Sequence, residues 1–209
     1  MKRSADKPSQ SSGSIRKGLY GSYLSQHNEV TMLDVYEPQV QALNENGITV
    51  LEENGEERHF RDIRAMKSGT CTDAADLMIV FVKSNYTSSA LEENKALFGP
   101  DTIVMTLQNG AGNDRKIAQY VQPQNVVIGT SKHNSVNLGG GKIRHSGTGV
   151  TTIGSNHGRP EALGTICSLL NESGFRAEIS DDTKFSYMEV LNMVHHVCED
   201  AGKGYSSCP

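Results

Sequence analysis

Two apolar runs constrain the fold of this chain more than any other feature. "DLMIVFVKS" (76–84) is a continuous apolar stretch bounded by polar residues, and "TIVMTLQNGAGN" (102–113) is an apolar strand that runs into a glycine-containing turn. Such runs are typical of strands buried on both faces of a parallel sheet. A third strand, "NVVIGT" (125–130), follows after a helical segment. Helix and strand alternate from about residue 19 to residue 130, which predicts a doubly wound, mostly parallel α/β sheet.

The shorter elements fit this alternation. The sequence predicts helices at Leu19 to Gln26, Glu37 to Gly47, Ser88 to Leu97 and 114–121, and a strand at "EVTMLD" (29–34). Asn54-Gly55 predicts a hairpin within "ITVLEENGEERHFRDIRAM" (48–66), because Asn-Gly favours two-residue hairpin turns.

The region after residue 130 contains three further predicted features. A second hairpin is expected to turn at His145 to Gly149, an amphipathic helix runs from Pro160 to Gly174, and "FRAEIS" (175–180) is a last short strand. The predicted organisation is a disordered tail at 1–14, an α/β domain at 15–180 and a largely helical segment at 181–209.

Composition argues against several classes of function. Lys and Arg total 20 against 24 Asp and Glu, giving a net charge of −4, and no stripe of basic residues favours nucleic acid or an anionic membrane. No apolar run approaches the roughly 20 residues that span a bilayer. The polar first segment lacks the apolar core of a signal peptide, so a cytoplasmic location is expected. The four cysteines are interpreted as free thiols, and no metal site is predicted.

Three polar side chains are expected at the carboxyl edge of the sheet, where ligands bind in open α/β folds. Asp34 ends the strand after the first helix, where an acid commonly meets the ribose hydroxyls of a dinucleotide. Lys83 follows the apolar run at 77–82, and Asn109 follows the next strand and precedes Gly110. Each also has a structural interpretation: a helix cap for Asp34, a solvated strand end for Lys83 and a plain turn for Asn109-Gly110. Their shared edge favours the functional interpretation.

Four blocks resemble the ketopantoate reductases (2-dehydropantoate 2-reductases) in order and spacing. They are "VFVKSNYTSSAL" (80–91), "VMTLQNGAGN" (104–113), "VVIGT" (126–130) and "GKIRHSGTGVTTIG" (141–154). The resemblance covers roughly residues 18 to 184. It implies a Rossmann-like fold and an NADPH-dependent reduction of 2-dehydropantoate to pantoate, a step towards pantothenate and coenzyme A.

The resemblance also implies roles for individual residues. Lys83 and Asn109 would line the nicotinamide end of the cleft, and Asn109 would also contact substrate. Asn134 falls near a position that touches the cofactor through its backbone. Gly18, Gly21, Asp34 and Gly110 complete the set of candidate cofactor-binding residues. The chemistry would be hydride delivery to a ketone carbon, assisted by a cation that polarises and protonates the oxygen.

The resemblance implies an NAD(P)-binding Rossmann-like domain at 15–180 and, at 181–209, the start of a truncated helical domain, so the chain is expected to depart from the family at both ends. Counted back from Gly21, the three glycines of the family's G-x-G-x-x-G turn fall at Ser12, Ser14 and Lys17. The usual first strand is not recognisable in "MKRSADKPSQ". Its loss would expose sheet edges, so we expect a poorly stable chain or one that recruits another segment. The family's proton-donating Lys lies on a later helix, and Lys184 precedes that helix and is not assigned the role.

Three functional hypotheses remain open from sequence. The first is a ketopantoate reductase acting on a small 2-keto acid. The second is a catalytically inactive remnant that serves as a binding or interaction domain. The third is a related reductase that acts on another 2-keto acid or on a phosphorylated polyol. Asp34 favours NADH, because a carboxylate repels a 2′-phosphate, whereas the resemblance implies NADP. The oligomeric state is open, a homo-oligomer included.

Overall fold

The computed structural model describes residues 12–109, 112–157 and 160–180. The helices are α1 (Ser12–Leu24), α2 (Glu37–Asn46), α3 (Thr87–Glu93), α4 (Asn113–Ile117) and α5 (Pro160–Glu172). The strands are β1 (Thr31–Asp34), β2 (Ile48–Leu51), β3 (Glu57–Phe60), β4 (Arg64–Lys67), β5 (Leu77–Val80), β6 (Ile103–Thr106), β7 (Val126–Ser131), β8 (Asn134–Gly139), β9 (Lys142–Gly147), β10 (Val150–Gly154) and β11 (Arg176–Ile179).

The main sheet has five strands in the order β11-β10-β7-β6-β5. All of its pairs are parallel except β10 with β7. Side chains alternate between its two faces, as the period of two in a strand requires. On one face, Val80, Val104 and Val126 of the sheet pack against Leu91 of α3 and Ile117 of α4. On the other face, Met105 and Val127 of the sheet belong to a larger core. The helices contribute Leu19 and Tyr20 from α1 and Ile166 and Leu170 from α5 to that core. The predicted doubly wound α/β fold is confirmed.

A separate parallel pair, β1 with β4, continues the α/β pattern beside α2. In the described residues β1 has β4 as its one strand neighbour, and β5 has β6. The two-stranded β1–β4 sheet and the five-stranded sheet are therefore not hydrogen-bonded to each other within the described residues. Whether the chain is poorly stable or recruits a strand there stays a prediction.

A third sheet has the order β3-β2-β9-β8. The hairpin predicted at Asn54-Gly55 is confirmed: β2 and β3 pair antiparallel, and Gly55 has a φ of 86°. Helix α2 ends at the predicted glycine, since Gly47 has a φ of 68° and its amide bonds back to Leu43.

The hairpin predicted at 145–149 is wrong. Strand β9 pairs with β2 and β8, whereas β10 pairs with β7 and β11, so the chain crosses here from one sheet to another. Gly149 permits the crossing, because a Cβ there would lie 2.5 Å from the Cβ of Lys132. The actual hairpin joins β8 to β9 through Gly139, Gly140 and Gly141, all with positive φ.

The first helix also differs from prediction. It begins at Ser12, whereas the sequence placed its start at Leu19 and assigned residues 12–14 to the tail. Leu19 and Tyr20 are completely buried, so the tertiary core holds a helix whose first turns are rich in Ser and Gly. The rest of the predicted tail, 1–11, lies outside the described residues, as do Lys184 and the helix predicted after it.

Candidate active site

The carboxyl ends of β5 and β6 open onto a cavity of about 320 Å³. It is lined by Arg16, Phe81, Val82, Lys83, Ser84, Asn85, Leu107, Gln108 and Asn109. Lys83 and Asn109 were both predicted for this edge, and the structure brings them to one cavity. Gly110 lies outside the described residues.

The loop after β5 holds Lys83 at the mouth of this cavity. The strand ends at Val80, so Lys83 lies three residues beyond it and precedes a 3-10 turn at Ser84–Tyr86. The Tyr86 amide donates to the Lys83 carbonyl at 2.8 Å, and the Lys116 ammonium of α4 donates to the Ser84 carbonyl at 2.8 Å. The loop is fixed from both sides while Lys83 itself stays exposed.

Gln108 ties the two loops together. Its amide nitrogen donates to the Thr87 hydroxyl at 2.9 Å and to the Val82 carbonyl, and its amide oxygen accepts from the Thr106 hydroxyl at 2.9 Å. Asn109 is the next residue and is exposed. Gln108 is not singled out by the sequence, because within the "LQNG" run it is predicted only as the last residue of the strand.

Arg16 is a second residue that the sequence analysis missed. It belongs to α1, lines the same cavity, and its guanidinium donates to the Leu107 carbonyl at 3.4 Å. Two cations, Arg16 and Lys83, therefore border the cavity from different elements. The sequence does contain a feature that could have identified Arg16: the basic pair Arg16-Lys17 lies in the segment that stands in place of the glycine-rich turn.

Asp34 lies at the predicted strand end but is already engaged. The Lys17 ammonium forms an ion pair with one of its carboxylate oxygens and donates to the Leu33 carbonyl at 3.0 Å. The Tyr36 amide donates to the other carboxylate oxygen at 3.0 Å. Asp34 thus serves as a turn acceptor and as the partner of Lys17, and it is not among the residues that line the 320 Å³ cavity.

The remaining candidates lie elsewhere among the described residues. Gly18 and Gly21 are buried where α1 crosses β9 and β1: a Cβ would lie 2.2 Å from Ile143 at the first and 2.9 Å from Met32 at the second. Close helix packing is the role that this geometry gives them. Asn134 begins β8 in the four-stranded sheet, away from the cavity lining. Cofactor contact by these three residues stays a prediction.

A second polar cluster is buried between the sheets. Glu52 accepts from the Tyr23 hydroxyl and from Nδ1 of His145 at 3.0 Å, and Nε2 of His145 lies 3.1 Å from Nδ1 of His133. Burial, followed by the hydrogen bond and charge of Glu52, raises the pKa of Tyr23 to about 12. Burial, followed by His145, lowers the pKa of His133 to about 4. The cluster ties α1, β2 and β9 to the segment after β7.

Two classes of site are not indicated within the ranges that the structure describes. No group of three or more His, Cys, Asp or Glu side chains there could hold a metal ion. No helix there is long and apolar enough to cross a membrane. The run His195, His196 and Cys198, which the sequence does not favour as a metal site, lies outside the described residues.

The chain matches known proteins over most of its length. The family model described as "Ketopantoate reductase PanE/ApbA" matches residues 17–158. A 2-dehydropantoate 2-reductase of Streptococcus pyogenes serotype M3 is 29% identical over 157 residues, covering 75% of this chain and 50% of the relative. That of Halobacterium salinarum is 30% identical over 173 residues, covering 82% and 56%.

Solved structures agree with these sequence matches. D-mandelate dehydrogenase, in a ternary complex with NADH and anilino(oxo)acetate, matches with a TM-score of 0.73 and 27% identity over 80% of this chain and 54% of that one. A 2-dehydropantoate 2-reductase from Methylococcus capsulatus matches with a TM-score of 0.73 at 18% identity, covering 90% and 62%, and supports the fold alone.

The chain spans about half the length of the curated relatives it matches. The matched part contains both loops of the cavity and most of the described strands, from β1 to β10. The family model covers well over half of the 209 residues. The chain therefore belongs to the ketopantoate reductase family.

Proposed function

We propose that this chain is the cofactor-binding part of an NADPH-dependent reductase of a small 2-keto acid, with 2-dehydropantoate as the first candidate substrate. One observation carries the proposal: in a member of this family, Lys83 and Asn109 line a single cavity at the carboxyl edge of the sheet, with Arg16 on the same cavity. This edge is where open α/β folds bind dinucleotides.

The cavity residues fit one end of a dinucleotide. Arg16 and Lys83 supply two positive charges for phosphate or carboxylate groups, and 320 Å³ lies at the lower end of the range for ligand pockets. Phe81, Val82 and Leu107 form the apolar part of the cavity lining, which suits contact with the flat nicotinamide ring. We therefore assign the nicotinamide end to this cavity and the adenosine end to the region of Lys17 and Asp34.

When bound, the nicotinamide ring would supply the hydride that adds to the keto carbon. The chain's own contribution is to bind and orient: the Lys83 ammonium attracts anionic groups, and the Asn109 amide offers donors to the substrate oxygen. Gln108 keeps the two loops at a fixed separation through its bonds to the Val82 carbonyl and the Thr87 hydroxyl. We assign the proton donor to no residue within 12–180.

A related 2-keto acid reductase is the second candidate. D-mandelate dehydrogenase, crystallised with NADH and anilino(oxo)acetate, is 27% identical to this chain over the aligned region. A substrate with an aromatic group on the keto carbon is therefore a reasonable alternative. NADH is the alternative cofactor for the same reason.

The test is a fluorescence titration of the folded 209-residue chain with NADPH and NADH, followed by turnover with 2-dehydropantoate and with an aryl 2-keto acid. We expect saturable micromolar binding of NADPH. Lys83→Ala should weaken that binding roughly tenfold, because it removes a charge-assisted contact. Asn109→Ala should lower any measurable turnover by roughly ten- to a hundredfold, with less effect on cofactor affinity.

Lys95→Ala is the matched control for Lys83→Ala. Lys95 is an exposed lysine outside the cavity, and it pairs with Glu92 on the same segment at 2.7 Å. Its removal should leave binding unchanged, because such pairs contribute little. No binding of either cofactor up to millimolar concentration would contradict the proposal and favour the inactive interaction domain.

A further inference from the structure

We infer that Lys17 is a specificity-determining residue that turns the Asp34 site from a ribose-diol acceptor into a site for the 2′-phosphate of NADPH. The inference rests on the proposed function, because it concerns the adenosine end of the same cofactor. It goes beyond the family pattern, since Lys17 stands where the third glycine of the phosphate-binding turn would fall.

The carboxylate of Asp34 is already occupied by donors from this chain. Both of its carboxylate oxygens have partners, one in the Lys17 ammonium and the other in the Tyr36 amide at 3.0 Å. The side chains of Asp34 and Lys17 are only 14% and 21% exposed, so solvent screens the pair weakly. A ribose diol would have to compete with Lys17 for the carboxylate.

The negative charge of Asp34 affects which cofactor can bind beside it. An isolated carboxylate at this strand end disfavours NADPH, because it repels the dianionic 2′-phosphate. Lys17 cancels that charge locally, and its ammonium is a group that can donate to a phosphate oxygen. The backbone anchors Lys17 as well, since the Leu33 carbonyl accepts from its ammonium at 3.0 Å.

A second lysine, Lys67, lies at the same end of the β1–β4 pair as Asp34. Lys67 is the register partner of Asp34 in the parallel β1–β4 pair, and neighbouring register partners project to the same face of a sheet. Lys67 is exposed. One lysine from α1 thus pairs with Asp34 and a second is its register neighbour on β4, an arrangement that suits a phosphate better than a neutral diol.

The experiment measures affinities of the full chain for NADPH and NADH by fluorescence, and for 2′,5′-ADP and 5′-AMP by calorimetry. The two adenosine fragments report on the Asp34 site without involving the Lys83 cavity. Lys17→Met keeps the length of the side chain and removes its charge. We expect it to reduce the ratio of NADPH to NADH affinity, and of 2′,5′-ADP to 5′-AMP affinity, by about tenfold or more.

Asp34→Asn should move the same ratios in the opposite direction, because it removes the repulsive carboxylate and frees Lys17. Lys95→Met is the control and should leave both ratios unchanged. Thermal unfolding by circular dichroism establishes that each variant is folded. Because the two site variants act in opposite directions, failure of one to fold still leaves a decisive result from the other.

The outcomes separate the two proposals. If the wild-type chain binds a cofactor but both folded variants keep its affinity ratio within twofold, the role of Lys17 is wrong and the proposed function stands. If neither cofactor nor fragment binds to the wild-type chain or to Lys95→Met, the proposed function fails, and the role of Lys17 fails with it.

Discussion

At the scale of single residues, His133 couples the stability of this fold to pH. It is 4% exposed, packs edge-on against Tyr20 and Phe175, and faces His145, which in turn bonds to Glu52. Its pKa is lowered to about 4, so the unfolded chain, with a pKa near 6.5, binds the proton more readily than the native state. The contribution of His133 is fully present above about pH 6.5 and is lost as the pH falls towards 4.

We therefore expect the free energy of unfolding to fall by up to about 3 kcal/mol from this residue between pH 6.5 and 4. Urea unfolding at pH 7 and pH 4.5 measures the loss. His133→Asn keeps a donor near the Nδ1 position but does not titrate, so its pH dependence should be shallower than that of the wild-type chain. Equal slopes for the two proteins would show that His133 is not the group responsible.

At the scale of elements, the contact between α1 and β9 depends on the absence of a side chain at Gly18. A Cβ there would lie 2.2 Å from Cδ1 of Ile143, which is 6% exposed and has little room to move. Gly18→Ala should therefore destabilise the fold by about 1–3 kcal/mol, despite the higher helix propensity of Ala. Chemical denaturation followed by circular dichroism measures the change.

A second substitution and a control test the cause. Ile143→Val removes the clashing methyl group, so the Gly18→Ala/Ile143→Val double variant should be more stable than additivity of the two single variants predicts. Gly164→Ala in α5, where a Cβ meets nothing within 4 Å, should raise stability by up to about 1 kcal/mol. A loss of similar size at Gly18 and Gly164 would attribute the effect to something other than this contact.

At the scale of the whole molecule, the separation of the β1–β4 pair from the five-stranded sheet predicts uneven local stability. Strand β6 is paired on both sides and contains two completely buried side chains, Val104 and Met105. Strand β1 has one strand neighbour in the described residues. Amides of β6 and β7 should therefore exchange with solvent more slowly than those of β1 and β4, by roughly tenfold or more. Native-state hydrogen exchange measures these rates. Equal protection of the amides in the two sheets would contradict the prediction.

Much of this protein follows from local sequence pattern. The apolar runs at 76–84 and 102–113 determined two core strands, and Asn54-Gly55 and Gly47 determined a hairpin turn and a helix end. These features depend on periodicity and turn chemistry, which neighbouring residues encode. The shared edge of Lys83 and Asn109 followed as well, since consecutive parallel strands end on the same side.

Only the tertiary structure decided the rest, because the partners are distant along the chain. Lys17 neutralises Asp34 across 17 positions, and Arg16 reaches Leu107 across 91. The packing of α1 at Gly18 against Ile143 and the crossing at Gly149 beside Lys132 involve distant residues, which no local pattern reports. The sequence by itself determined which segments form the sheet and where its ligand edge lies. Long-range packing and charge pairing determined which side chains at that edge are free to bind.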